Sequence, residues 1–250
     1  MPIQPTHSNG DSAPRAGRGF RRSIALLLTT ATAACAIVSC IRCTPPATTQ
    51  PSDPGTAFGL PGIDEGVYFL PFAANTTYTV AQGAFGVAGL GSHAGQYAVD
   101  FMLPFRTPLL ASRAGKVGTV RQSCPDVNCP FTPETCCGNY IKINHADGTA
   151  AYYWHLPQDG ACVKEGDVVA RGDVIGVSGN TGISLAPHLH FAVRAPRGEV
   201  GTGRFGPSKD GSMEVPFVDV PGDGVPVLLG GYTSQNVIAT DRCAASQPAP

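Results

Sequence analysis

The sequence predicts an all-β domain of antiparallel strands, preceded by a segment that is not part of the fold. Three observations carry this expectation. Short runs of β-branched and aromatic residues recur between turn residues, and 31 Gly and 23 Pro in 250 residues punctuate them. Beyond the first forty residues, no stretch sustains the 3.6-residue apolar period of a helix.

The elements follow in order. Arg15, Arg18, Arg21 and Arg22 precede the apolar run "SIALLLTTATAACAIVSC", residues 23–40. A basic segment followed by a short apolar one is the pattern of an export signal, so residues 1–40 are expected to be a signal peptide. The run is short for a spanning helix, which needs roughly 20 apolar residues. It ends in Ile37-Val38-Ser39-Cys40, which resembles a bacterial lipobox and predicts a lipid anchor at Cys40. Residues 41–57, rich in Pro and Thr, read as a tether. A domain over 58–243 is expected after it.

Within that domain "VYFLPF" and "TYTVAQG" read as the first strands. "QYAVDFML" alternates, with Tyr97, Val99, Phe101 and Leu103 on one face and Ala98, Asp100 and Met102 on the other. "LLASRAGKVGTVRQ" reads as two strands around a glycine-containing turn. "NYIKINHADGTAAYYWHL" reads as a hairpin whose Asp147-Gly148 suits a two-residue turn at positive φ. His145 then sits in that turn and is expected to be exposed. Val-rich runs alternate with Gly-Asp turns in "VKEGDVVARGDVIGVSGNTG", and "HLHFAVRA" supplies another strand. Residues 212–240 are expected to add one or two peripheral strands.

Charge and cysteines bound the setting. From Cys40 onward 13 basic residues face 17 acidic ones, and no basic stripe with interleaved aromatics is present, so nucleic acid is not an expected partner. "GVSGNTG" lacks the lysine and the following helix of a nucleotide-binding loop, and reads as turns. Six cysteines lie in the expected domain, Cys124, Cys129, Cys136, Cys137, Cys162 and Cys243, and Cys43 in the tether is left odd if Cys40 is lipidated. An even number in an exported chain predicts disulfides; the rival, a structural zinc site, lacks paired CxxC spacing. Adjacent Cys136 and Cys137 are not expected to pair with each other. The Cys-rich insertion, residues 122–138, reads as a stapled surface loop, with a groove wall as the alternative.

The histidines carry the chemistry. His188 and His190 are two apart, so a strand presents both on one face, with Leu189 and Phe191 on the other. By the same alternation Ala151, Tyr153 and His155 share a face. Asp100 interrupts an apolar strand, where a carboxylate is costly unless paired, hydrogen-bonded or bound to a cation. A metal explains Asp100 and the strand-borne histidines together. Two histidines and a carboxylate leave the fourth position of a zinc open for water, and further histidines beside it can move protons and stabilise an oxyanion. Asn139, Tyr153 and Thr181 are candidates to line a groove at these motifs, and the sequence alone assigns them no role.

"SHAGQYAVDF", "YYWHL" and "GNTGISLAPHLHF" resemble the signature blocks of the M23 (lysostaphin/LytM-type) zinc metallopeptidases, over roughly residues 80–195. The resemblance implies an antiparallel β domain of the LytM type with a zinc-floored groove and one Zn2+ per chain. It implies His93, Asp100 and His190 as metal ligands, and His155 and His188 as catalytic residues. Six residues separate His93 from Asp100, more than the family's common HxxxD spacing. The implied function is an exported endopeptidase of the cell envelope cutting peptide cross-links of peptidoglycan, commonly Gly-Gly or D-Ala-linked diaminopimelate bonds. Two other readings are weaker. A non-catalytic module that binds wall or activates amidases typically lacks some of these five residues, all of which are present. A biotinyl- or lipoyl-like carrier would leave the histidines unexplained.

Overall fold

The structure is a computed structural model that describes residues 66–86, 92–127 and 136–246. The first of the two units into which the chain divides, Met1–Gln50, lies outside the described residues, and so do the expected signal peptide, the Cys40 anchor and the tether. Among the described residues no helix is long and apolar enough to cross a membrane.

In chain order the strands are β1 (Thr77–Gly86), β2 (Ser92–Ala94), β3 (Ala98–Phe101), β4 (Pro108–Leu110), β5 (Gly115–Arg121), β6 (Asn139–Asn144) and β7 (Ala150–Leu156). They continue with β8 (Val168–Val169), β9 (Val174–Val177), β10 (Leu189–Arg194), β11 (Thr202–Gly203), β12 (Gly206–Pro207), β13 (Ser212–Met213) and β14 (Gly231–Thr233). One short helix, α1 (Arg242–Ser246), follows and was not anticipated. The main sheet runs β14-β1-β3-β10-β7-β6-β5-β8, with β13 on β10 and β2 on β1. All its pairings are antiparallel except β1 with β2. The expected fold class is therefore the observed one.

Register explains how one sheet makes both a core and a site. Residues directly opposite across antiparallel strands share a face, so a row of partners has one environment. Val99, Phe191, Tyr153 and Ile141 form such a row over β3, β10, β7 and β6, and all are buried. They join Phe72, Phe101, Leu103, Leu156 and Leu189 in the core. The adjacent row points the other way. It runs Gln82, Asp100, His190, Trp154, Tyr140, Arg121 across β1, β3, β10, β7, β6 and β5.

Several expectations need correction. "VYFLPF" is not a strand: Tyr68 makes a single bridge to Phe217, and Phe69 N–H donates to the Ser112 carbonyl instead of to a ladder. The β6–β7 turn is longer than two residues. His145 N–H donates to the Thr149 carbonyl, leaving Ala146, Asp147 and Gly148 as the loop, with Gly148 at φ 84°. His145 is buried, not exposed. Its Nδ1 lies 2.8 Å from the Ala114 carbonyl oxygen, and its ring meets Tyr68 edge-on.

Cys124 pairs with Cys137 and Cys162 with Cys243, so the expected disulfides are present; Cys136 is also disulfide-bonded. The second bridge ties the C-terminal α1 back to the turn that precedes β8 and β9.

The turn aspartate has a second task. Arg113 is buried, and its Nη1 lies 2.7 Å from Asp147 Oδ2. Partial burial works against the Asp147 carboxylate, but hydrogen bonds from Thr149 and Arg113 outweigh it and hold its pKa at about 2. A folded-state pKa below the unfolded value stabilises the fold above the unfolded pKa, and that contribution disappears as pH falls from about 4 to 2. Asp147→Asn is expected to lose about 1 kcal/mol at pH 7, since the Asp147 side chain is 47% exposed and the pair is screened. Urea midpoints of the two proteins should converge towards pH 2; equal midpoints at pH 7 would refute the ion pair's contribution.

Candidate metal centre

Asp100 stands in the middle of the outward row and is 6% exposed. Three imidazoles surround it. His190, its cross-strand partner, has Nδ1 2.9 Å from Asp100 Oδ1, and His93 Nε2 lies 3.3 Å from the same oxygen. His188 Nε2 is 3.6 Å from the other carboxylate oxygen. Burial alone would push the Asp100 carboxyl up, but hydrogen bonds from His190 and His93 reverse this and drive it far below the carboxylate range. Burial likewise opposes charge on His93, and the bond to Asp100 overcomes it and raises that imidazole's pKa.

The ligand atoms of His93, Asp100 and His190 all lie within 4.8 Å of one another. Two imidazoles and a carboxylate are a zinc donor set that leaves a fourth position open. A carboxylate this deeply buried needs cationic company, and the converging ring nitrogens suit an ion as well as they suit a proton. The residues present therefore fit a zinc. His93 comes from β2, and its Nδ1 lies 3.2 Å from the Gly83 carbonyl oxygen on the paired β1, which orients the ring.

His155 reaches the groove by a route that alternation does not predict. Ala151 and Tyr153 face the core, so an unbroken strand would put His155 there too. Instead the β6–β7 register skips it: Trp154 pairs with Tyr140 and Leu156 with Asn139, leaving His155 as a bulge. Its φ is 69°, the left-handed region that a residue with a Cβ rarely adopts. The bulge turns the side chain to the outward face, where its ring centroid lies 4.5 Å from that of His188.

Carbonyl anchors set both rings. His155 Nδ1 is 2.7 Å from the Thr181 carbonyl oxygen, and His188 Nδ1 is 2.8 Å from that of Ala186, with Ser184 Oγ 3.1 Å away. A carbonyl only accepts, so each Nδ1 carries a proton, and a ring with no second proton offers its Nε2 lone pair. Burial, then the nearby His188 and His190, lower the His155 pKa to about 3, which keeps that ring neutral at physiological pH.

Thr181 and Asn139, unassigned from sequence, build the support. Thr181 Oγ1 donates to the Leu156 carbonyl and accepts from Asn139 N–H. The Asn139 amide in turn exchanges two hydrogen bonds with the backbone of disulfide-bonded Cys124. Gly179 packs so closely that a Cβ there would sit 2.6 Å from the His155 carbonyl oxygen, which explains a glycine at the start of "GNTG". Tyr153 does not line the groove; its buried hydroxyl accepts from Ser112 N–H. The groove has a volume of about 850 Å3 and is walled by Arg121, Cys136 and Gly138 on one side and by Ile183, Leu185 and Ala186 on another. The base of the Cys-rich insertion is thus both stapled and part of the wall; residues 128–135 of it lie outside the described residues.

The bulge makes a stability prediction. His155→Gly should be more stable than His155→Ala by about 0.5–1 kcal/mol in urea unfolding, because glycine takes φ 69° without the Cβ clash. Equal stability, or a more stable alanine variant, would mean the backbone there is not strained.

Comparison with known proteins agrees with this geometry. Residues 94–202 match the family model described as Peptidase family M23; the match begins one residue after His93. The peptidoglycan DD-endopeptidase ShyA of Vibrio cholerae serotype O1 is 39% identical over 92 residues, 37% of this chain and 18% of that protein. Lysostaphin of Staphylococcus staphylolyticus is 38% identical over 109 residues, 43% of this chain and 20% of that protein. The matched segments thus span about a fifth of these relatives' own length. The solved catalytic domain of lysostaphin from Staphylococcus simulans is 34% identical, covering 48% of this chain and 80% of that one, with a TM-score of 0.34. Over residues 94–202 the chain is thus similar to peptidase family M23.

Proposed function

We propose that this protein is an exported zinc metalloendopeptidase that hydrolyses peptide cross-links of bacterial peptidoglycan. The observation that carries the reading is the pairing of a two-histidine, one-carboxylate donor set with two further imidazoles, each held at Nδ1 by a backbone carbonyl, all in one open groove. The substrate class follows the Vibrio cholerae relatives named peptidoglycan DD-endopeptidases. The basic and apolar leader supports export, and Cys40 supports a lipid anchor that holds the domain at the envelope.

His93, Asp100 and His190 would hold the zinc. Bound there, zinc supplies Lewis acidity, activating water near neutral pH and polarising the scissile carbonyl. The chain's own residues do the rest. An extended peptide lies in the groove, and its surroundings of Trp154, Met102 and Ile183 displace bulk water. His155 Nε2 or His188 Nε2 takes the proton of the attacking water, while the opposite Nδ1 stays bonded to its carbonyl and keeps the ring aimed. The protonated ring is then a donor to the developing oxyanion and returns the proton to the leaving amine. Fixing both rings through backbone carbonyls means no reorganisation is needed as charge develops.

The test is digestion of cross-linked muropeptides by the purified full-length chain, followed by mass spectrometry, with metal content measured alongside. Hydrolysis should stop on chelation and return with zinc. His155→Ala and His188→Ala should each retain the metal and lose about 10²–10⁴-fold in rate. Asp100→Ala and His190→Ala should lose the metal itself. Full zinc occupancy in Asp100→Ala would overturn the ligand assignment, and binding of peptidoglycan without any cleavage would favour the non-catalytic module.

A further inference from the structure

We propose that Arg121 is a carboxylate-recognising residue at the far end of the groove, so that the preferred substrates are peptides bearing a free carboxylate a few residues from the scissile bond. This rests on the peptidase reading above and narrows its substrate class.

Arg121 ends the same cross-strand row that contains Asp100 and His190, and it lines the same groove. Its guanidinium stacks over Tyr140, 5.1 Å from the ring centroid, and Nη1 lies 3.4 Å from the Gly138 carbonyl oxygen. Tyr140 in turn packs on Trp154, their centroids 4.3 Å apart. These contacts orient the fork and leave its charge unanswered: among the described residues no carboxylate lies within ion-pair distance of Arg121. By contrast Arg113, Arg194, Arg204 and Arg242 each have one. Among the described residues lining the groove, Arg121 is the only Lys or Arg and Asp100 the only carboxylate, and Asp100 is already bonded to His93 and His190. Lys142, in the next row on the same face, stands over Tyr152 at 5.8 Å and adds a second positive charge.

An oriented, uncompensated guanidinium facing a groove is suited to two parallel hydrogen bonds from a carboxylate. The row also sets the distance. Arg121 lies three strand steps from His190, about 14 Å at 4.7–4.9 Å per step. An extended peptide crossing the strands covers that span in about four residues, and the arginine side chain shortens it. Stem peptides of peptidoglycan carry free α-carboxylates at this range. A neutral polyglycine bridge has no anion to offer there.

The experiment compares two cross-linked stem-peptide dimers that differ only in carboxylate against carboxamide, with pentaglycine as a third probe. Trp154, the single tryptophan of the chain, lies in the row beside Tyr140 and reports binding by fluorescence whether or not cleavage occurs. The full-length chain should bind the carboxylate dimer about tenfold more tightly than the amidated one, with and without chelator. Arg121→Gln should erase that preference, with the loss appearing in KM for hydrolysis, and Arg121→Lys should restore part of it. Equal binding of the two dimers, or a preference that survives Arg121→Gln, would overturn the proposal even if both are hydrolysed. Selective binding without hydrolysis would support it while sinking the peptidase reading.

Discussion

A carboxylate buried in the middle of a β-sheet is the constraint around which this molecule is arranged. Asp100 is 6% exposed, and an ion at such a depth is costly unless its charge is answered on the spot. The answer comes from His190 across the ladder and from His93 on a strand added at the edge of β1, while His188, from the loop leading into β10, stands 3.6 Å from the other carboxylate oxygen. Each approach requires β1, β3 and β10 to be neighbours in that order. The strand order and the charge balance of the site are one requirement seen at two scales.

The sheet meets it by dividing its two faces cleanly. Val99, Phe191, Tyr153 and Ile141 point to the core, and the row beside them carries Asp100, His190, Trp154, Tyr140 and Arg121. Burial of the first row stabilises the fold and thereby holds the second row at fixed spacing, without flexible loops to order. Where regular alternation would fail the site, the chain departs from it. His155 occupies a bulge at positive φ, and the strained geometry is held by Thr181, Asn139 and the backbone at Cys124.

The outward face was partly legible from residues alone. Period-two alternation puts Asp100 opposite Val99 and Phe101, and puts His188 with His190, because a strand's side chains obey a fixed geometry whatever surrounds them. His155 was legible as a motif residue but not as a groove residue, since alternation assigns it to the core. His145 was misread as exposed because a turn usually is; here the buried Ala114 carbonyl and Tyr68 ring enclose it. The "VYFLPF" run has strand composition, yet its backbone bonds go to Ser112 and to the Phe217 segment, which no local pattern announces.

By itself, the sequence determined the all-β class, the strands that flank the candidate site, the family resemblance and the five polar residues proposed to carry the chemistry. These follow from local steric rules and from motif residues close together in the chain. Only the tertiary structure decided that His93 meets Asp100 across six intervening residues, that a register skip re-aims His155, and that Arg121 shares a groove with them, with no carboxylate at ion-pair distance among the described residues. Each of these is a contact between strands distant in sequence. Register and bulges arise from packing the whole sheet, so no window of residues contains them.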